Sequence, residues 1–324
     1  MLRGDWHVGA CLLAGLYLPY ENWRLAPLRR WPRVVDCLLS HEQSGSLGAL
    51  RSAGLWEEVS LLEEPGRLGL AEDFVDRGQV LTVFDGKYPV GWLDALGSGA
   101  PPVLWCEGEI PGGELVGVVG SRDLPTSAKH YAHQMGGYLV SSGRGVVSGG
   151  AWGADELGVA GAVSKCGDAP VVQLLPCGFD SGGYGRPKFS GCLLSPFDRR
   201  AGFTGTQAMI RNRLIYAWSR RSVVVHSRYR VGGTWGGATD ALRRGLGRVI
   251  VADWRDSATD ALVALGGDRL NLGREWRSEL DYRLRLPLEV AQPDLFGFSG
   301  IKERRQGYGD QALGALRESA AAFA

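Results

Sequence analysis

Leu115-Val116-Gly117-Val118-Val119-Gly120-Ser121-Arg122 is the stretch on which the fold turns. Its uninterrupted apolar run suits a parallel strand buried on both faces, and the Gly-Ser-Arg that follows leads into a helical pattern from about Thr126. Further apolar runs recur with room for helices between most of them: Gly145-Val146-Val147, Val171-Val172-Gln173-Leu174-Leu175, Ser222-Val223-Val224-Val225 and Arg248-Val249-Ile250-Val251. Strand alternating with helix predicts an α/β architecture, a doubly wound parallel-sheet Rossmann-like domain over residues 113–285. Ligands of such sheets gather outside the carboxyl ends of the strands, which directs attention to the residues after each run.

Outward from that domain the pattern changes. Residues 1–75 carry Leu, Val and Trp at helical spacing, broken by Pro19, Pro27, Pro32 and Pro65, and predict a small all-helical domain. Residues 76–112 form a β lead-in: the run Gln79-Val80-Leu81-Thr82-Val83-Phe84, an Asp85-Gly86 turn, Tyr88-Pro89, and the run Pro102-Val103-Leu104-Trp105. Beyond residue 286, Pro287, Pro293, Gly297, Gly300 and Gly307 lie among charges, and residues 286–324 read as a flexible tail with room for one terminal helix.

With 44% hydrophobic and 22% charged residues, the 324-residue chain is composed for folding and not for disorder. A net charge of +1 neither demands nor forbids a nucleic-acid partner, so any phosphate affinity must come from a local cluster of cations. The cysteines, Cys11, Cys37, Cys106, Cys166, Cys177 and Cys192, show no CxxC pair and no His at ligand spacing. They read as buried, reduced thiols, with no metal site and no cofactor signalled. Val8 to Leu18 is too short to span a bilayer, and Asp5 spoils the basic segment of a signal peptide. A cytoplasmic protein with no membrane association is expected.

Several strand ends carry residue types suited to anions and bases. Gly120-Ser121-Arg122 is a glycine turn entering a helix, whose free N–H groups and positive dipole end suit a phosphate that Arg122 could grip bidentately. The alternative is a tight turn with Arg122 in solvent. Ser148-Gly149-Gly150-Ala151-Trp152-Gly153-Ala154-Asp155 is a second glycine-rich loop, where Trp152 could stack on a base or pack in the core. Asp155 is read as a cap for the following helix. Arg211 and Arg213 flank Asn212 at the start of an apolar helical run and diverge by about 200°, so only one faces a pocket. Gly232-Gly233-Thr234-Trp235-Gly236-Gly237-Ala238 closes a third glycine-rich loop after a strand. His130, His133 and His226 have no partnered Ser or Cys motif, so no catalytic residue is assigned.

In order along the chain these segments resemble the DprA/Smf family, within the superfamily it shares with the LOG (lysine decarboxylase-like) nucleotide hydrolases. Tyr88-Pro89 with Pro101-Pro102-Val103-Leu104-Trp105 resembles the family's lead-in, and Gly120-Ser121-Arg122 its GSR signature. Ser148 to Asp155 is similar to its SGLARGID segment, Leu194-Ser195-Pro196-Phe197 to LLSEF, and Arg211-Asn212-Arg213-Leu214-Ile215 to RNRII. Gly232 to Ala238 stands where the family has GSLIT. Departures mark a divergent member: Trp152 replaces an arginine and Pro196 a glutamate. The resemblance implies binding of single-stranded DNA across a pocket built from Gly120, Ser121, Arg122, Gly149, Gly150, Trp152, Arg211, Asn212, Arg213, Gly233 and Thr234, with Lys188 added. It further implies a homodimer formed through the Rossmann-like domain, delivery of DNA to the RecA recombinase in recombination or DNA uptake, and no room in the tail for the winged-helix domain of many relatives. The competing implication is hydrolysis of nucleoside monophosphates or nucleotide sensing, but the LOG loop needs a glutamate where the nearest carboxylate here is Asp240. In the tail, Gln292-Pro293-Asp294-Leu295-Phe296 resembles peptides that engage the replication sliding clamp, with Gln292 at the rim and Leu295 and Phe296 as apolar anchors. The alternative is that Leu295 and Phe296 fold back as a staple.

Overall fold

The computed structural model describes residues 51, 52, 54, 67–82, 85–89, 91–96, 99–182 and 191–288. The expected helical domain falls outside the described residues except for its last helix and three positions near residue 52, and Lys188, Gln292, Leu295 and Phe296 fall outside them too. The chain divides into two compact units between Cys106 and Glu107.

In the first unit, helix α1 (Arg67–Asp76) leads to strand β1 (Val80–Thr82), and helix α2 (Gly91–Leu96) to strand β2 (Val103–Glu107). The strands pair antiparallel with Leu81 opposite Leu104. Aromatic burial holds this small unit: Tyr88, Trp92 and Trp105 are buried, Phe74 meets Trp105 edge-on at 5.0 Å, and the Tyr88 hydroxyl donates to the Pro101 carbonyl at 2.8 Å. The Tyr-Pro and Pro-Pro elements of the lead-in are therefore two ends of one hydrogen-bonded contact.

The second unit alternates strand and helix: β3 (Leu115–Val119), α3 (Thr126–Ser141), β4 (Gly145–Ser148), α4 (Ala154–Lys165), β5 (Val171–Leu174), β6 (Cys192–Ser195), α5 (Gly205–Ser219), β7 (Arg221–Val224), α6 (Gly232–Arg244), β8 (Arg248–Asp253), α7 (Ser257–Ala264), β9 (Asp268–Asn271) and α8 (Trp276–Arg285). These strands run parallel in the order β6-β5-β4-β3-β7-β8-β9. The doubly wound expectation holds. Strands β6 and β9 were not among the expected runs: Asp268-Arg269-Leu270-Asn271 is an edge strand with one apolar residue among three polar ones, and Cys192-Leu193-Leu194-Ser195 carries no β-branched residue.

Residues of β3 divide between the two layers. Val116 and Val118 join one core with Ala128, Met135 and Leu139 of α3, Val159 and Ala162 of α4 and Leu280 of α8. Gly117 faces the other layer, where a Cβ would come within 2.9 Å of Ser219 Oγ on α5. From β3 the chain steps to β4, β5 and β6 on one side, then returns to place β7 on the other. The order reverses between β3 and β7, and a crevice must open there because the two following loops leave in opposite directions.

Among the described residues no group of His, Cys, Asp and Glu could hold a metal ion, and no helix is long and apolar enough to cross a membrane. Cys106, Cys177 and Cys192 are buried, Cys11 and Cys37 lie outside the described residues, and Cys166 corrects the expectation, being exposed where α4 ends.

Candidate nucleic-acid interface

The strand ends β3 and β7 stay zipped two residues beyond the sheet: Val225 N–H donates to Val119 O at 2.9 Å and Ser121 N–H to His226 O at 2.9 Å. Past that point the chains part and a cleft of about 530 Å³ opens. Its lining includes residues of three segments: Gly120, Ser121, Arg122 and Asp123 after β3, Met209, Arg211, Asn212 and Tyr216 of α5, and Arg228, Val231, Gly232, Gly233 and Thr234 between β7 and the start of α6.

Two features of the cleft are of a kind that suits an anion. Helix α6 begins after Val231 with no side chain capping it, so the N–H groups of its first turn, at Gly232, Gly233 and Thr234, meet the cleft with the positive end of the helix dipole. By contrast α5 is closed by Thr204, whose Oγ1 accepts from Gln207 N–H at 3.1 Å. Arg122 and Arg228 are both exposed and both line the cleft. A phosphate at this point meets dipole, N–H donors and guanidinium together.

Two charged side chains, Asp155 and Arg211, are buried at the cleft. Asp155 is 5% exposed and Arg211 3%. The Asp155 carboxylate accepts from Gly120 N–H at 3.2 Å and from the N–H groups of Ala151 and Gly149, joining the loop after β3 to the loop after β4. Arg211 donates to the Gly149 carbonyl and, at 3.1 Å, to Leu174 O at the end of β5. Burial raises the Asp155 acid to about 6, against the opposing pull of Arg211 and the backbone donors. The expectation that Asp155 caps α4 is corrected: the residue ahead of that helix is Gly153, and Asp155 ties the two loops from within the first turn. Gly153 is required there, since its φ is 92° and a Cβ would lie 2.7 Å from Arg122 Cα. Tyr216, in the cleft's lining and 3% exposed, has no partner for its hydroxyl, and burial followed by the nearby Asp155 charge holds the phenol well above its usual range.

Of the residues expected from sequence, the structure brings Gly120, Ser121, Arg122, Arg211, Asn212, Gly233 and Thr234 to the cleft. Asn212 Nδ2 donates to Gly233 O at 3.2 Å, linking α5 to α6. Gly149 is not in the lining but under it, packed so closely on Arg211 and Asp155 that a Cβ would lie 2.7 Å from Asp155 Oδ2. Gly150 rests on Gln173. Arg213 points away from the cleft: Nε donates to Asp240 Oδ2 at 2.8 Å. Asp240 is also held by Arg244 at 2.7 Å, and although burial pushes its carboxyl up, the two guanidiniums outweigh that and keep it below the usual carboxylate range. Trp152 is 79% exposed, which overturns core packing as its role. Sequence reasoning missed Phe203, Met209, Tyr216 and Arg228, which line the cleft, because nothing in their local pattern distinguishes them from ordinary loop and helix residues.

The fold and this cleft define a doubly wound α/β protein with a crevice at its topological switch point. The family model of DNA recombination-mediator protein A matches residues 79–261. The chain belongs to that family. Curated proteins bearing the name DNA processing protein DprA, from Mycobacterium tuberculosis strains H37Rv and CDC 1551, are each 31% identical over 195 residues, covering 54% of this chain and 49% of theirs. The chain thus spans about half the length of the curated relatives it matches. Among solved structures, DNA processing protein A of Streptococcus pneumoniae aligns with a TM-score of 0.61 at 17% identity, covering 85% of this chain and 97% of that one. That of Helicobacter pylori, whose single-stranded DNA binding mode has been described, aligns with a TM-score of 0.53 at 20% identity, covering 64% and 96%. These likenesses show a shared fold.

Proposed function

We propose that the cleft binds single-stranded DNA, in the service of recombination or DNA uptake. The observation that carries this reading is that the uncapped start of α6 lines the same cleft as two exposed arginines, Arg122 and Arg228. Family membership and the described DNA-binding mode of the Helicobacter pylori relative support it. On this reading Arg211 and Asp155 shape the turn and do not touch the strand, while Trp152 offers a face to a base. No catalytic step is invoked, because Asp240 lies outside the cleft lining and is engaged by Arg213 and Arg244. The reading extends to a cytoplasmic homodimer that passes DNA to RecA, and to a clamp-binding peptide at Gln292, Leu295 and Phe296. Titration with a poly-dT oligonucleotide, duplex DNA and adenosine monophosphate tests it: the oligonucleotide should bind tightest, and preference for the mononucleotide would overturn the reading.

Arg122→Ala should weaken oligonucleotide binding and reduce the slope of log affinity against log salt by about 0.7, the value for one phosphate contact on a single strand. An unchanged slope with the fold intact would remove Arg122 from the interface. Trp152→Ala should cost about 1–3 kcal/mol of binding, the worth of one stacked base, with little effect on that slope. The indole quench on adding DNA should shrink in Trp152→Phe; a quench of undiminished size would assign it to another tryptophan.

A further inference from the structure

The loop between β7 and α6 holds a feature that the cleft does not use. Arg228 and Val231 form an isolated antiparallel bridge, with Val231 N–H donating to Arg228 O at 3.2 Å, and this leaves Tyr229 and Arg230 at the tip of a tight turn. Arg230 adopts φ 56°, a left-handed conformation that costs a side-chain-bearing residue energy and persists only where its surroundings impose it. Here the consequence is a preformed stack. The Arg230 guanidinium sits over the Tyr229 ring at 5.1 Å, and Trp235 of the first α6 turn braces that ring edge-to-face at 5.1 Å. Tyr229 nevertheless remains 41% exposed, and Arg228 and Arg230 flank it in solvent. Arg228 and Val231 line the cleft, whereas Tyr229 and Arg230 lie beyond its lining.

A rigid aromatic held open to water between two cations matches one nucleotide of a single strand: a base for the stacked faces and a phosphate for the guanidiniums. We propose that the Tyr229–Arg230 turn is a second nucleotide subsite, receiving the base next to the nucleotide held in the cleft. This rests on the single-stranded DNA reading of the cleft. Local charge favours that occupant over an acidic protein segment, since an aromatic stack adds little to recognition of carboxylates but supplies a face to any base.

The test uses the full chain and a ladder of thymidylates from the mononucleotide upward, titrated at several salt concentrations. Tyr229→Leu should weaken the dinucleotide and longer oligonucleotides by about five- to 150-fold, the range for loss of one stacked base, while leaving the mononucleotide and the salt slope little changed. Tyr229→Phe should keep the affinity. Arg230→Gly retains the left-handed backbone without strain, so it should fold at least as well while lowering the salt slope by about 0.7. Wild-type binding that Arg122→Ala weakens but Tyr229→Leu and Arg230→Gly leave intact would overturn the subsite and spare the cleft. Equal losses at every length in Tyr229→Leu would also overturn it, because the residue would then be acting on the cleft itself. Failure of the wild-type chain to bind any oligothymidylate would bring down the cleft reading and the subsite with it.

Discussion

Replacing Arg211 with Met is expected to destabilise the protein by about 2–6 kcal/mol near neutral pH, chiefly because two buried carbonyls, those of Gly149 and Leu174, each lose their donor at about 1–3 kcal/mol apiece. Asp155 would keep its backbone donors but lose the only guanidinium that opposes its desolvation, and the Gly149 and Leu174 carbonyls would lose a buried donor. The effect has a pH signature. Burial raises the Asp155 acid from an ordinary 3.8 to about 6, so across that window the folded state holds a proton that the unfolded chain has released. For this group, folding is therefore less favourable as pH rises through the window and levels off above it. Without Arg211 the acid rises further, so the extra cost of the substitution develops above about pH 6 and shrinks near pH 5, where both proteins carry a neutral carboxyl. Urea unfolding of the two proteins at both pH values measures it. A destabilisation of the same size at both would mean that Arg211 acts by packing and carbonyl bonding alone. Binding should fall with stability, since Asp155 holds Gly120, and with it the turn that carries Arg122.

Gly161→Ala should be the next most damaging change, although alanine is the better helix former by up to about 1 kcal/mol. Helices α3 and α4 cross with their backbones in contact: a Cβ on Gly161 would overlap the His133 carbonyl oxygen and lie 2.7 Å from its carbon, and one on Gly136 would do the same to Gly158. Neither obstacle is a side chain that can swing aside. The helices must separate, and the expected loss is about 3 kcal/mol, at the upper end for overpacking. Gly167→Ala is the control, because nothing lies within 4 Å of a Cβ there. If the denaturation midpoints of the two variants agree, the close crossing is not a determinant of stability.

Much of the architecture was legible in the chain because buried parallel strands leave a pattern that needs no partner to be read. Leu115 to Val119 and Val249 to Val251 are apolar on both faces, as interior strands must be, and both fell where expected. The edge strand β9 is the same rule inverted: with Asp268 and Arg269 half-buried in ion pairs and Asn271 exposed, its composition is that of a loop. Glycine-rich turns were likewise visible as turns, and the switch-point rule directed attention to the right end of the sheet.

What each polar side chain does there was not legible. The sequence alone determined the α/β class, the order of the motifs and the set of loops from which a site could be built, since hydrophobic periodicity and turn chemistry are local properties of the chain. Only the tertiary structure decided that Arg211 is buried on backbone carbonyls, that Arg213 serves Asp240, that Asp155 ties two loops and that Trp152 stands in water. Those assignments depend on which distant residues complete each charge and hydrogen bond, and that is fixed by the packing of α5 between the strand ends and α6 and by nothing in its own sequence.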